Sequence, residues 1–297
     1  MLVATNGLTK RFGKLAALAD CSLAVSPGEV FGLLGPNGSG KTTLLRLLLG
    51  FLRPTSGQAT ILSRDCYQQS VEVHRHVSYL PGEVRLPRRL RGHAVLKYFS
   101  SLRPEGNLSR AVEMAERLGL DLTRQVARCS TGMRQIMALC IAMSADVPLV
   151  ILDEPTSSLD PTVRGQVADL VREARAAGRT VIFSSHVLAE VEEVCDRVAI
   201  LRQGHVVHEQ MLAELTRQHR IRATMVGPVH PPPDDVARQI AQFDQIDGSL
   251  EIVAPGELAP LLGWLATLPL SEVRIEPLGL RTIYDRFHRD TRAAGHE

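Results

Sequence analysis

Nine residues, GPNGSGKTT from Gly35 to Thr43, join an apolar run to a leucine-rich helical pattern. They satisfy G-x-x-x-x-G-K-[ST] through Gly35, Gly40, Lys41 and Thr42, with Pro36, Asn37, Gly38, Ser39 and Thr43 completing the loop. Glycines let successive backbone N–H groups turn inward around a phosphate, and the following helix N-terminus adds its dipole. In such a pattern Lys41 neutralises phosphate charge and Thr42 offers a hydroxyl to Mg²⁺. An ordinary glycine-rich turn is the plain alternative, and the strand–loop–helix context weighs against it.

A second cluster is LVILDEP, four branched apolar residues ending in two acids. Asp153, at the end of a buried strand, can reach a divalent cation. Glu154 beside it is placed to hold or deprotonate an attacking water. Two acids capping a strand end is the bland reading, and the phosphate cradle makes it the weaker one.

The elements that must carry these groups follow from pattern and punctuation. Pro27-Gly28 marks a turn before the apolar strand Phe31 to Leu34, and a helical pattern runs from Lys41 to Phe51. From about Pro87 to Met143 helices dominate, with SRAVEMAERLG capped by Ser109 and stopped at Gly119. LVILDEP reads as a parallel strand. A helix from Val163 to Ala177, strand TVIFSS, helix HVLAEVEEVC and strand RVAILRQG follow. Strands alternating with helices predict an α/β fold with a mainly parallel sheet, interrupted by a helical insert. Composition changes near Arg217, and after GPVHPPPDD the stretches DDVARQIAQF, SLEIVAP, LAPLLGWLAT, VRIEP and RTIYDRF alternate helix and strand in a small α+β appendage.

Length and charge bound what this machinery serves. The 297 residues exceed one average domain, and 44% apolar content supplies a full core. A formal charge of +2 gives no bulk attraction to nucleic acid. Five scattered cysteines without a C-x-x-C pair predict reduced thiols. The N-terminus lacks the pattern of a signal peptide, and Ile136 to Leu152, broken by Ser144, Asp146 and Pro148, reads as helix, turn and strand rather than a membrane span. Only Lys10, Lys14, Lys41 and Lys97 are lysines, which singles out the one inside the cradle.

Ahead of the acidic strand stands CSTGMRQIMALCIAM, and behind it SSLD and SSH. With the cradle, these resemble the signature loop, D-loop and switch histidine of the ATP-binding-cassette (ABC) family, in that family's order and approximate spacing, over about Leu2 to Gln218. The resemblance implies a P-loop NTPase core with a helical signature subdomain, and ATP and Mg²⁺ as ligands. It implies that Ser130 and Gly132, at a helix N-terminus that attracts anions, grip the γ-phosphate held by a second copy of the chain or by a related cassette. Phe12 matches the aromatic that stacks on adenine, with a strand-core phenylalanine as the alternative. His186 matches the histidine that touches the γ-phosphate. Asp160 matches the D-loop acid at the subunit contact, or caps the helix before Pro161. PGEVRLP and EPLGLRTIYDRF look like the ATPases of multidrug or antibiotic exporters, in which a small C-terminal unit regulates or stabilises the dimer. The implied protein is an ATP-hydrolysing subunit at the cytoplasmic face of a bacterial membrane, driving a separate multi-span permease. Its ATPase domain covers residues 1–218, with the insert at about 85–145, and an accessory domain covers 219–297.

Some residues depart from the family pattern. Thr131 and Met133 replace a usual glycine and glutamine of the signature, and Cys129 a usual leucine; the β-branched Thr131 restricts the backbone there. Gly82 stands where the family's Q-loop has glutamine, so either Glu83 takes part of that role or coupling runs differently. Arg85, Arg88, Arg89 and Arg91 beside it form a solvated face or a contact for the permease or anionic headgroups. His74–His76 and His205–His208 lack the accompanying ligands of a metal site. A soluble cassette ATPase acting on nucleic acid or ribosomes is the alternative, but paired cassettes, a long coiled-coil insert, zinc modules and aromatic–basic interleaving are all missing. A GTPase or small-molecule kinase leaves STGMRQ unexplained and lacks N-K-x-D.

Overall fold

Val30–Leu34 and Leu149–Asp153 are buried along their whole lengths, as central strands covered on both faces must be. They belong to a six-stranded sheet ordered His205–Met211, Arg197–Arg202, Val30–Leu34, Thr180–Ser185, Leu149–Asp153, Val77–Leu80. Every pair from Arg197–Arg202 to Val77–Leu80 is parallel. The computed structural model describes residues 1–215, 218–228, 230–246, 248–256 and 258–289. It divides into two units, Met1–Gln210 and Met211–Glu297. The composition change expected near Arg217 falls outside the described residues.

The first unit also contains a smaller antiparallel sheet built on Val3–Phe12, which pairs with Leu15–Cys21, Ala24–Val25 and Ser56–Ile61. The cradle helix Lys41–Leu48 buries Leu44, Leu45, Leu47 and Leu48 in one core with Leu8, Leu18 and Ile61 of this sheet and Leu33, Ile151 and Leu201 of the parallel one. That helix therefore starts from a rigid seat. The helical insert contributes Gly92–Ser101, Leu108–Arg117 and Thr131–Ser144. The second of these is capped by Asn107, whose side chain accepts from the Arg110 N–H at 2.9 Å, so the expected cap at Ser109 is corrected by two residues. Gly119 ends this segment at φ +68°.

Arg179 fixes the far end of Thr131–Ser144. Its buried guanidinium donates to the carbonyls of Met143, Ala145 and Val147 at 2.7–3.1 Å, satisfying one orphan acceptor of the last helical turn, that of the C-cap residue and one in the turn beyond. Burial pulls this arginine down to about 10.

All five cysteines are free and buried. Burial pushes the thiols of Cys21, Cys66 and Cys140 up to about 12 and raises Cys129 and Cys195 as well. Only the thiolate attacks an alkylating agent. Native protein at pH 8 is therefore expected to react with iodoacetamide at least about a hundredfold more slowly than protein in guanidinium, with the native rate rising as pH rises. Rapid labelling of any one native thiol, read by mass spectrometry, contradicts this.

In the second unit, Gln242–Ile246, Ser249–Pro255, Gln218–Met225 and Leu270–Pro277 form a four-stranded antiparallel sheet in that order. Ile221, Ala223, Leu250 and Ile252 pack against Leu261, Trp264 and Leu265 of the helix Ala259–Leu265. The expected α+β pattern is present with one correction: DDVARQIAQF is helical only over Asp234–Ala237, and Gln242 and Phe243 already belong to a strand. Hydrogen bonding to Ser249–Pro255 overrides the helical period there.

Candidate functional site

The cradle lies at the carboxyl end of Val30–Leu34, where open parallel sheets place their crevices. Gly40, the N-cap of the cradle helix, has φ +109°, and a Cβ there would lie 2.7 Å from the Ala17 carbonyl. Only glycine fits. Residues Pro36 to Thr43, with Phe12, Leu15 to Ala17, Glu154 and Gln203, line a cavity of about 730 Å³. Phe12 is half exposed on its rim, with Lys10 Nζ 5.1 Å from the ring centroid, so it is not a strand-core residue.

The two acids part at the end of Leu149–Asp153. Asp153, 1% exposed, accepts from Thr42 Oγ1 at 2.9 Å and from Ser184 Oγ at 2.6 Å. Thr42 and Asp153 thus present oxygens side by side, the donor chemistry of a hard cation. Among the described residues no group of three or more His, Cys, Asp or Glu could hold a metal. Two protein oxygens do fit Mg²⁺, which keeps waters and substrate phosphates as its other ligands. Tyr79 lies close by; burial and the Asp153 charge push its phenol up to about 12 and keep it neutral.

Glu154 leaves the strand in a left-handed turn at φ +51°, a conformation costing a non-glycine residue about 1 kcal/mol or more. Its carboxylate bridges the site: Oε1 is 3.2 Å from Lys41 Nζ, and Oε2 is 2.7 Å from His186 Nδ1. Lys41, 5% exposed, also donates to the carbonyls of Gly35 at 2.6 Å and Pro36 at 3.4 Å. The Lys41–Glu154 contact is an ion pair whose angles do not make a hydrogen bond.

The signature residues stand apart from this cavity. Ser130 is the N-cap of Thr131–Ser144, its Oγ accepting from the Met133 N–H at 3.1 Å, and it is exposed. Thr131 is the first helical residue, with an ordinary negative φ, so its β-branch imposes no strain. Gly132 is pressed against the next loop: a Cβ there would lie 2.8 Å from the Ser158 carbonyl. Asp160 caps the helix Pro161–Ala176, accepting from the Val163 N–H at 3.0 Å, and is exposed. None of these four lines the cavity of its own chain.

Gly82 leaves the place of a side chain beside the acidic strand unfilled: a Cβ there would be in ordinary contact with Asp153 Oδ2 at 3.4 Å. Glu83 does not fill it; its exposed carboxylate pairs with Arg85 at 2.8 Å. Arg88, Arg89 and Arg91 are exposed. His74 bonds the Leu49 carbonyl at 2.7 Å, and His208 bonds Gln210 at 3.2 Å.

Two positions escaped the reading of the sequence. Ser184 receives the Glu154 N–H at 3.1 Å while donating to Asp153. Gln135, 4% exposed inside the signature helix, donates to the carbonyls of Glu154 and Pro155, each at 3.2 Å. The serine pair in TVIFSS carried a signal for the first; a lone glutamine in a helical pattern carried none for the second.

Known proteins resemble this chain in sequence and in fold. Residues 18–157 match the sequence model of the ABC transporter family. An uncharacterized ABC transporter ATP-binding protein of Nostoc is 40% identical over 209 residues, 68% of this chain and 62% of that relative. A Synechocystis counterpart is 38% identical over 68% of this chain and 58% of its own length. The chain thus spans about three fifths of these two relatives. The daunorubicin resistance ATP-binding protein DrrA3 of Streptomyces coeruleorubidus is 34% identical over 72% of this chain and 69% of the relative. A dimeric ATP-binding cassette solved in a post-hydrolysis state with ADP and Pi superposes with a TM-score of 0.65 at 22% identity, over 71% of this chain and 98% of that one, which establishes the cassette fold. By its sequence relatives and by its fold, the chain belongs to the ATP-binding proteins of the ABC transporter family.

Proposed function

We propose that the chain binds Mg·ATP in the cavity behind Gly35–Thr43 and hydrolyses it, and that two copies, or one copy and a related cassette, close over the nucleotide. The carrying observation is the bridge made by Glu154 between Lys41 and His186, one residue from the Thr42–Asp153 oxygen pair. A triphosphate takes Lys41 over from Glu154, which leaves the carboxylate able to orient and deprotonate the attacking water. His186 hydrogen-bonds Glu154 from the other side and faces the γ-phosphate. Loop N–H groups that follow Pro36 and the cradle helix dipole bind the β-phosphate, and Phe12 stacks on the base. Thr42 and Asp153 would hold Mg²⁺, which would supply neutralisation of the phosphate charge.

Ser130 and Gly132, which line no part of this cavity, complete the nucleotide site of a second subunit, with Asp160 at the contact. Closure and reopening drive a separate membrane permease, placing the protein at the cytoplasmic face of a bacterial membrane. No helix among the described residues is long and apolar enough to cross one. Similarity to daunorubicin resistance and fluoroquinolone export ATP-binding proteins favours an exporter of drugs, antibiotics or other hydrophobic small molecules. Residues 219–297 then form an accessory domain that regulates or stabilises the dimer.

Sedimentation of the Glu154→Gln variant tests the assembly. The variant is expected to sediment as a monomer alone and as a dimer in Mg·ATP, because an unhydrolysed γ-phosphate keeps the two chains together. Monomers under both conditions contradict the homodimer and leave the related cassette as partner.

A further inference from the structure

Glu154 is held by its backbone as firmly as by its side chain. Its N–H is shared between the Ser184 carbonyl at 3.2 Å and Ser184 Oγ at 3.1 Å. Its carbonyl accepts from Gln135 Nε2 at 3.2 Å, and the same amide nitrogen reaches the Pro155 carbonyl at 3.2 Å. Two carbonyls can be satisfied only by a donor, so the chemistry fixes which end of the Gln135 amide faces them. The peptides on both sides of Pro155 are thereby held at the point where Glu154 adopts φ +51°. A left-handed glutamate persists only where its surroundings over-determine it, and Ser184 on one side with Gln135 on the other does so.

Gln135 also lies one turn into the helix Thr131–Ser144, whose N-cap is Ser130. It is 4% exposed, among apolar neighbours such as Ile136, Met137 and Leu139 in that helix. Buried side-chain amides are ordinarily hydrogen-bonded, and the Gln135 nitrogen meets that need with these two carbonyls. The first turn of that helix is therefore mechanically joined to the residue that faces Lys41 and His186.

We propose that Gln135 is a positioning residue: by clamping the Glu154 and Pro155 carbonyls, it sets the direction of the Glu154 carboxylate and ties it to the end of the helix that Ser130 caps. Engagement of that helix end thus reaches Glu154 through one side chain of the same chain. The inference rests on the assignment of Glu154 to the attacking water made above. Gln135→Met keeps length and volume but removes the donor. It is expected to lower kcat for ATP hydrolysis about tenfold, as a slightly misdirected catalytic group does, with KM for ATP unchanged within twofold.

The decisive comparison uses the Glu154→Gln background. There the residual rate no longer depends on the carboxylate's direction, and adding Gln135→Met is expected to lower it no further. A wild-type kcat in Gln135→Met overturns the inference, and so does an equal tenfold fall in both backgrounds, which marks a merely structural role. Gln135→Asn keeps the amide but withdraws it by one methylene; it carries the same expectation where the methionine variant does not fold. Wild-type hydrolysis by Glu154→Gln itself overturns the underlying assignment, and so separates its failure from that of Gln135.

Discussion

Glu154→Gln is expected to lower kcat at saturating Mg·ATP about a thousandfold while leaving ATP affinity unchanged or several-fold tighter. The substitution keeps the shape of the side chain, and the backbone clamp of Ser184 and Gln135 on residue 154 survives it. It removes the negative charge that bridges Lys41 at 3.2 Å and His186 at 2.7 Å. Chemistry suffers because an amide cannot take a proton from water. Binding does not, because Lys41 is no longer drawn toward a carboxylate and becomes freer to meet phosphate. Lys41 keeps its bonds to the Gly35 and Pro36 carbonyls, so the fold loses little. Steady-state phosphate release with a parallel titration of a fluorescent ATP analogue measures both quantities. A kcat within threefold of wild type removes Glu154 from the chemistry, and a kcat loss matched by an equal loss of affinity reassigns it to nucleotide binding.

What the sequence made legible was local. The cradle motif, the wholly apolar strand Val30–Leu34 and the run ending in Asp153 and Glu154 each declare themselves within ten residues, because the backbone geometry they need is set by neighbours. The contacts that aim those groups were not legible. Ser184 reaches Glu154 across 30 positions and Gln135 across 19, and nothing in a helical pattern distinguishes a buried glutamine from a solvated one. Competing local signals account for the smaller misses. Asn107 and Ser109 are both good caps, and the backbone chose the earlier. Thr131, expected to restrict the backbone of the signature loop, is the first residue of a helix and has no left-handed φ. In the second unit, cross-strand hydrogen bonds decided the fate of Gln242 and Phe243.

Mixing two inactive variants is expected to restore activity, and only a shared nucleotide site can produce that result. Lys41→Ala removes the cation of the cradle, whose Nζ now lies 3.2 Å from Glu154. Ser130→Glu puts a carboxylate at the exposed N-cap of Thr131–Ser144, where it repels a γ-phosphate offered by another subunit. Each variant alone joins its lesion to an intact partner element in both sites of its homodimer, so each is expected to fall at least about a hundredfold. A mixed dimer is different. One of its sites combines both lesions, while the other combines an intact Lys41 with an intact Ser130. With random exchange half of the dimers are mixed and half of their sites are intact, so an equimolar mixture is expected to recover about a quarter of wild-type hydrolysis if the sites act independently. Ser130 lines no part of its own chain's cavity, so a site completed within one chain predicts no recovery at any ratio. The Ser130→Glu variant should still bind one ATP per chain with near-native affinity, because its cradle is untouched. Loss of that binding would place Ser130 in the service of its own nucleotide and would dissolve the two-chain mechanism at its physical root.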